Sequence, residues 1–193
     1  MNVRQTLSGS LAAALLLGLG FGCGPEEQAE TEMTGEETLP EPGAEPIVAD
    51  TTAEALWAYL ESADYQNTWP MWPGKAPYYE GTQPHGALLT TYANDSAMVG
   101  LTAMRTEAVT DNLPFGSIIV KENYMPDSTL AAVTVMMKAE MYDPDHHDWF
   151  WMKRLADGTV EASGRVQSCI DCHAGAADNW DYLITALNQW GAS

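Results

Sequence analysis

Two cysteines and a histidine near the C-terminus have the spacing of a covalent attachment site. The stretch QSCIDCHAGAAD, residues 167–178, contains Cys169, Cys172 and His173. In a Cys-x-x-Cys-His motif, two thiols add to the vinyl groups of a haem, and the histidine reaches its iron from one face. The sequence therefore predicts one covalently attached haem c, with Cys169 and Cys172 binding the cofactor and His173 binding the iron.

Three other interpretations of the motif are open. A structural disulfide between the two cysteines would not need the histidine. A thioredoxin-like redox pair usually begins a helix in a βαβ setting, which this sequence does not show. Zinc would need a fourth ligand from His85, His146 or His147, and none of these has the usual ligand spacing.

The second axial position of such an iron cannot be filled from the end of the chain. Residues 174–193 contain no Met, His, Lys or Cys. A sixth ligand must come from upstream, and without one the iron is five-coordinate and binds small molecules.

Each upstream candidate also has an ordinary structural role. Met136 and Met137 lie in an apolar strand, where methionine usually fills the core. His85, in QPHGA, is expected to be a turn residue. His146 and His147, in DPDHHDW, are expected in a solvated hairpin loop, where their titration could gate a nearby pocket.

Lys121 stands in the predicted strand SIIVKENY. Alternation places Ile119, Lys121 and Asn123 on one face, and Glu122 on the other. On this pattern alone, Lys121 is predicted to face solvent. If its face is turned inward, the ammonium has to be paired, neutral with a depressed pKa, or chemically altered, because burying an unpaired charge is costly.

The remaining patterns predict an α+β fold with one mainly antiparallel sheet and flanking helices. Thr51 and Glu54 have capping-box spacing at the start of a helix, Asn94 or Asp95 could cap another, and DNWDYLITALNQW has helical spacing. The segment 67–86 is too rich in Pro and Gly for regular structure. ALLTTYA is a predicted strand, and FGSIIVKENYM, TLAAVTVMMKAEMY, DWFWMKRL and GTVEAS are predicted to form an antiparallel meander.

The first fifty residues divide into two predicted segments ahead of a single domain at 51–193. Residues 1–23 resemble an export signal, with Arg4 before an apolar run that ends near Cys23. LGLGFGC also resembles a lipoprotein signal, in which Cys23 would be lipidated and anchor a periplasmic protein to the membrane; conventional cleavage nearby is the alternative. Residues 24–50 carry nine acids and no Lys or Arg, so they are predicted to be a disordered linker.

The charge balance excludes nucleic acid as a partner. The chain has 27 acids against eight Lys and Arg, a net charge of −19. Taking away the nine acids of the linker, and Arg4 with the signal, leaves 18 acids against seven basic residues, so the domain is near −11. A polyanion would be repelled over most of this surface.

Five segments of the chain, taken in order, resemble the cytochrome P-460 family and its relative cytochrome c′-beta. They are LPFGSIIVKENY, VTVMMKAE, DWFWMKR, CIDCH and DNWDYLI. The similarity covers roughly residues 51–193. It implies a mostly antiparallel β fold, a homodimer, and one c-type haem with an open distal side. In founding members, a lysine of the VKE element is joined to a meso carbon of the porphyrin. Lys121 occupies the matching place, which implies a pocket-lining lysine against the alternation pattern.

The resemblance implies that the protein handles small nitrogen compounds. One hypothesis is an oxidoreductase that oxidises hydroxylamine and passes electrons to a soluble redox partner such as a cytochrome. Glu140, Asp145 and Asp148 are candidate proton acceptors, although none aligns with a catalytic carboxylate. A second hypothesis is a protein that binds nitric oxide without turnover, as in the c′-beta branch. The alternative is a six-coordinate periplasmic electron-transfer cytochrome c.

Overall fold

Six antiparallel strands form one sheet, in which neighbours in sequence are neighbours in space. The computed structural model describes residues 50–106 and 112–191, so the predicted signal, Cys23 and all of the linker except Asp50 lie outside the described residues. The strands are β1 (Tyr79–Glu80), β2 (Leu88–Ala93), β3 (Ile118–Tyr124), β4 (Leu130–Lys138), β5 (Trp149–Leu155) and β6 (Val160–Gly164). The predicted α+β class and the antiparallel meander are confirmed at this level.

Helices precede, interrupt and follow the sheet. They are α1 (Ala53–Ala63), α2 (Tyr65–Thr68), α3 (Asp95–Thr106), α4 (Gln167–His173), α5 (Ala177–Trp180) and α6 (Ile184–Trp190), with 3₁₀ turns at Pro144–His146 and Ala174–Ala176. Within the two described ranges, no helix is long and apolar enough to cross a bilayer.

The first helix begins one residue later than its capping pattern predicts. Thr52, rather than Thr51, is the N-cap, and its Oγ1 accepts a hydrogen bond of 3.2 Å from the backbone N–H of Ala55. Asn94 caps α3 as predicted, because its Oδ1 accepts from the N–H of Ala97 at 3.0 Å. The segment 67–86 is mostly irregular, but it contains the short strand β1.

Both faces of the sheet are covered, and the two sides have different residues. On the back face, α1 and α2 bring Leu56, Leu60 and Tyr65 against β-branched residues such as Val120 and Val135. On the front face, α3, α4 and α6 pack against β2, β3 and β5 through a second cluster, whose largest members are Trp72, Trp149, Trp151 and Tyr182. Burial on both faces explains why the apolar residues at the start of β3, Ile118, Ile119 and Val120, are consecutive rather than alternating.

The predicted single helix over 178–190 is wrong in its middle. α5 ends at Trp180 and α6 begins at Ile184. Between them, Asp181 and Tyr182 adopt left-handed backbone conformations, with φ of 47° and 65°. This conformation is unfavourable for non-glycine residues, so contacts of these two residues must stabilise it.

Candidate functional site

A cavity of about 700 Å³ lies against the sheet and brings the predicted site residues together. Its lining includes Cys169, Cys172 and His173 from α4, Lys121 from β3, and His85 from the loop between β1 and β2. The volume lies within the range of roughly 300–1,000 Å³ that is typical of small-molecule and cofactor sites.

Helix α4 places the three motif residues on one side. Positions 169, 172 and 173 are related by three and four residues, so their side chains share a helix face. Ile170 is 3% exposed and anchors the helix in the front-face core. Cys169 is half-buried and Cys172 is exposed, and both are free thiols. Burial raises the pKa of the Cys169 thiol. No disulfide joins the two cysteines in the structure.

His173 is held in one tautomer by the backbone. Its Nδ1 lies 2.7 Å from the carbonyl oxygen of Tyr182. A carbonyl can only accept, so Nδ1 carries the proton and Nε2 has the free lone pair. Burial, with a smaller contribution from the charge of Lys121, lowers the pKa of His173 to about 4. At neutral pH, the ring is therefore an uncharged potential metal ligand.

The break between α5 and α6 is stabilised by Asp181. Its carboxylate is buried and lies 2.7 Å from the Nζ of Lys138, which is 3% exposed. The same carboxylate accepts from the backbone N–H of Leu113 at 2.8 Å, from His147 Nδ1 at 3.0 Å and from Trp149 Nε1 at 3.2 Å. These bonds fix residue 181 and thereby orient the neighbouring Tyr182 carbonyl toward His173.

Lys121 lies in the cavity wall with a weak polar environment. Its Nζ is 3.5 Å from Thr185 Oγ1, and within the described ranges no carboxylate lies within ion-pair distance of it. Burial lowers the pKa of Lys121 to about 8. The solvent-facing position predicted from alternation alone is wrong, because Lys121 is partly buried and lines the cavity, with Thr185 of α6 beside its ammonium.

His85 lies in a turn, as predicted, but its side chain also lines the cavity. Its Nδ1 is 3.0 Å from the Oδ1 of Asn123. The amide of Asn123 is oriented because its Nδ2 donates to the carbonyl oxygens of Lys121 and Ala132, at 2.9 and 3.2 Å. Oδ1 must therefore be the atom that faces His85, and His85 must donate from Nδ1. Its Nε2 is left with a lone pair.

His85 is also uncharged and close to His173. Burial, followed by the charge of Lys121, lowers the pKa of His85 to about 3. The two imidazole centroids are 6.2 Å apart, with an angle of 78° between the ring planes. Within the described part of the chain, neither Nε2 has a hydrogen-bond partner.

Several other candidates do not line the cavity. Glu140 and Asp145 are exposed, Asp148 accepts from the N–H of Asp143, and His146 and His147 are half-buried against Asp143 and Asp181. Met137 is buried in the back-face core, whereas Met136 lines the cavity. The carboxylate among the lining residues is Glu161, which forms an ion pair with Lys153.

The described residues offer no assembled zinc site. No group of three or more His, Cys, Asp or Glu side chains in residues 50–106 and 112–191 could hold a metal ion. Zinc at the motif would need such a set, with four tetrahedral ligands for a structural ion. A porphyrin iron needs only one axial ligand from the protein, because the macrocycle supplies the other four.

The cavity fits a covalently bound porphyrin. Cys169 and Cys172 are free thiols, His173 is neutral, and all three residues line the cavity of about 700 Å³. Trp151 also lines this space, with its ring 4.9 Å from His173, and its Nε1 is buried without a hydrogen-bond partner among the described residues. Buried donors are rarely left unpaired, so an acceptor is missing from this part of the site.

Sequence reasoning missed two supporting contacts. Lys138 and Asp181 are 43 positions apart, and Asn123 and His85 are 38 apart, so neither pair is visible in local periodicity. One signal in the sequence could have indicated the Lys138–Asp181 pair. Lys138 ends an apolar strand, and Asp181 interrupts an apolar helical pattern. Charged residues that are buried in such places are usually paired.

The fold and the site define an α+β protein whose six-stranded antiparallel sheet carries a cavity lined by two cysteines, two histidines and a lysine. No family model matches this chain, and no curated protein matches it.

Proposed function

We propose that this chain is a monohaem c-type cytochrome with a cytochrome P-460-like fold. Cys169 and Cys172 would hold the porphyrin through thioether bonds, and Nε2 of His173 would bind its iron. The observation that carries the proposal is a single cavity lined by both free thiols and by a neutral, oriented histidine.

Haem bound at this site would supply a redox-active iron that binds small nitrogen compounds, namely hydroxylamine or nitric oxide. The protein's contribution is to orient and shield. The Tyr182 carbonyl fixes the ring of His173, and an acceptor for its Nδ1 proton strengthens the basicity of Nε2. Ile119, Trp151 and Leu183 are buried and give the cavity an apolar wall.

Lys121 is the residue proposed for the porphyrin cross-link. Its pKa of about 8 leaves a larger fraction of free amine at neutral pH than an exposed lysine has, and the neutral amine is the nucleophilic form. The C–N bond would replace one N–H and one porphyrin C–H bond and would release two protons and two electrons, so cross-linking would need an added oxidant such as a peroxide. With the cross-link, oxidation of hydroxylamine is the proposed activity, with electrons passing to a soluble redox partner. Without it, binding of nitric oxide is the proposed function.

Electron transfer is a second candidate function. The observation that favours it is His85, whose ring lies 6.2 Å from that of His173 across the same cavity. An iron that kept two protein ligands throughout would transfer electrons without binding a substrate.

The proposal includes export, because c-type haem is attached outside the cytoplasm. The features that predict a periplasmic location and a lipid anchor at Cys23 lie in residues 1–23, outside the described residues. A homodimer is part of the same proposal, on the basis of the sequence resemblance alone.

Covalent haem attachment is tested by intact mass. Full-length protein expressed with a c-type maturation system is expected to gain the mass of one haem, and Cys169→Ala/Cys172→Ala is expected to gain none. Asp171→Asn is a matched control within α4, since Asp171 is exposed, accepts a hydrogen bond from Gln167 and does not line the cavity. Wild-type protein that matures without any tetrapyrrole adduct would contradict the proposal.

The Lys121 cross-link is tested on the same preparation by peptide mapping. A cross-link would yield one haem peptide that contains both Lys121 and the cysteine pair, and Lys121→Arg would separate them. Titration with nitric oxide and turnover of hydroxylamine then distinguish binding from catalysis. Separate peptides in the wild type, together with tight nitric oxide binding, would favour the binding function.

A further inference from the structure

The two cavity histidines are spaced for binding one metal ion between them. A histidine nitrogen binds a transition metal at about 2 Å, and the nitrogen lies about 1 Å from the ring centre, so two such ligands on opposite sides give a centroid separation of about 6 Å. The observed separation is 6.2 Å. If His85 instead formed a hydrogen bond to a small ligand on the metal, the two ring centroids would be about 9 Å apart. The metal–ligand bond and a hydrogen bond of about 3 Å would then lie between the metal and His85.

His85 is held at this distance by the sheet. Its loop is closed by a hydrogen bond of 2.9 Å between the N–H of Gly81 and the carbonyl of Ala87. Gly86 packs so closely on the backbone of Tyr124 that a Cβ there would collide with it. The Asn123 amide then sets the orientation of the ring. The position of His85 therefore depends on β3, the strand that also carries Lys121.

The chemistry of His85 matches that of His173. Each ring donates from Nδ1 to a fixed oxygen, and each has an unpartnered Nε2 within the described part of the chain. An oriented histidine whose second nitrogen is hydrogen-bonded is the usual arrangement of a metal ligand. From the sequence, His85 is a candidate sixth ligand for which a turn position is favoured, and the partner that orients its ring is 38 positions away.

We propose that Nε2 of His85 is the second axial ligand of the resting haem iron, opposite His173. This inference rests on the haem attachment proposed above. With haem bound, the distal side that the family resemblance implies to be open would then be closed in the resting protein, and a small nitrogen compound would have to displace His85 before it could bind the iron. The apparent affinity for such a ligand is then reduced by the fraction of molecules in which His85 is released.

The test compares haem-loaded full-length variants by absorption and electron paramagnetic resonance spectra of the ferric protein. Wild type is expected to be low-spin, His85→Ala high-spin, and added imidazole is expected to restore the low-spin spectrum of His85→Ala. Cyanide should bind His85→Ala about tenfold or more tightly than it binds wild type. His146→Ala, which removes a histidine outside the cavity, should retain the low-spin spectrum.

The outcomes separate the two proposals. A wild-type protein with one covalent haem and a high-spin ferric spectrum overturns the role of His85 and leaves the haem proposal standing. A low-spin spectrum that persists in His85→Ala and is lost in Lys121→Met or Met136→Leu assigns another ligand and also overturns it. Absence of a haem adduct removes both. His85→Gln replaces His85→Ala in all these tests if the alanine variant does not mature.

Discussion

At the scale of single residues, Lys121 is kept in the cavity at a cost in stability. In the protein without haem, its ammonium is desolvated and has only the Thr185 hydroxyl near it among the described residues. We predict that Lys121→Met stabilises the haem-free Cys169→Ala/Cys172→Ala protein at pH 7 by about 1–3 kcal/mol, as the lowered pKa implies. Urea denaturation measures this change.

The stabilisation by Lys121→Met should depend on pH. The pKa of Lys121 is about 8 in the folded protein, below its ordinary value of 10.5. The unfolded chain therefore binds more protons between these values, and stability rises with pH across that window. The gain from Lys121→Met should be complete below pH 8 and vanish as the pH rises toward 10.5. Lys153→Met, which removes a partly exposed ion pair with Glu161, should change stability by less than about 1 kcal/mol throughout.

Residue types near the motif could be interpreted from sequence because their chemistry is local. Cys169, Cys172 and His173 are separated by at most four residues, so one helical turn is enough to place them together. The inward position of Lys121 could not be derived from alternation, since whether a strand face meets water depends on a helix that comes sixty residues later.

At the scale of elements, the break between α5 and α6 positions the proposed proximal ligand. Lys138→Met would leave Asp181 buried without its cationic partner, which costs about 3–5 kcal/mol in comparable pairs. We predict a loss of stability in this range, together with a changed haem spectrum, because Tyr182 would no longer be held against His173. Urea denaturation and absorption spectra of the haem-loaded variant are the measurements.

A double variant distinguishes pairing from simple packing. Lys138→Met/Asp181→Asn removes both charges and should recover part of the stability lost in Lys138→Met alone. The spectral change should persist in the double variant if Asp181 is what stabilises the left-handed turn. A double variant that loses as much stability as Lys138→Met and Asp181→Asn lose together would contradict a coupled buried pair.

Element types were largely predictable, but this break was not. β2 to β5 lie within predicted runs, and β6 extends one residue past its run, to Gly164, because strand composition and turn residues are local signals. The apolar spacing of Trp180, Leu183 and Ile184 continues across the break, so periodicity indicates one helix where there are two. Asp181 of the left-handed pair is held by residues distant in sequence, Lys138 among them, and tertiary contacts override local preference at such sites.

At the scale of the whole molecule, the sheet separates a structural side from a functional one. On the back face, Glu122 is 1% exposed and accepts hydrogen bonds from Tyr65 at 3.0 Å, from Tyr124 at 2.6 Å and from Gln66. These bonds connect α2 to β3 on the back face. The preceding residue of the strand, Lys121, faces the cavity. One strand thus anchors the back layer and lines the site.

This division predicts different effects for the same substitution on the two faces. Leu56 and Leu183 are fully or almost fully buried, on the back and front faces respectively, and only Leu183 lines the cavity. Each leucine replaced by alanine should lower the free energy of unfolding by about 2–5 kcal/mol. Only Leu183→Ala should also alter the ferric haem spectrum, since it opens the cavity beside α6. Equal spectral changes in both variants, measured well below their unfolding temperatures, would show that the two faces do not act independently.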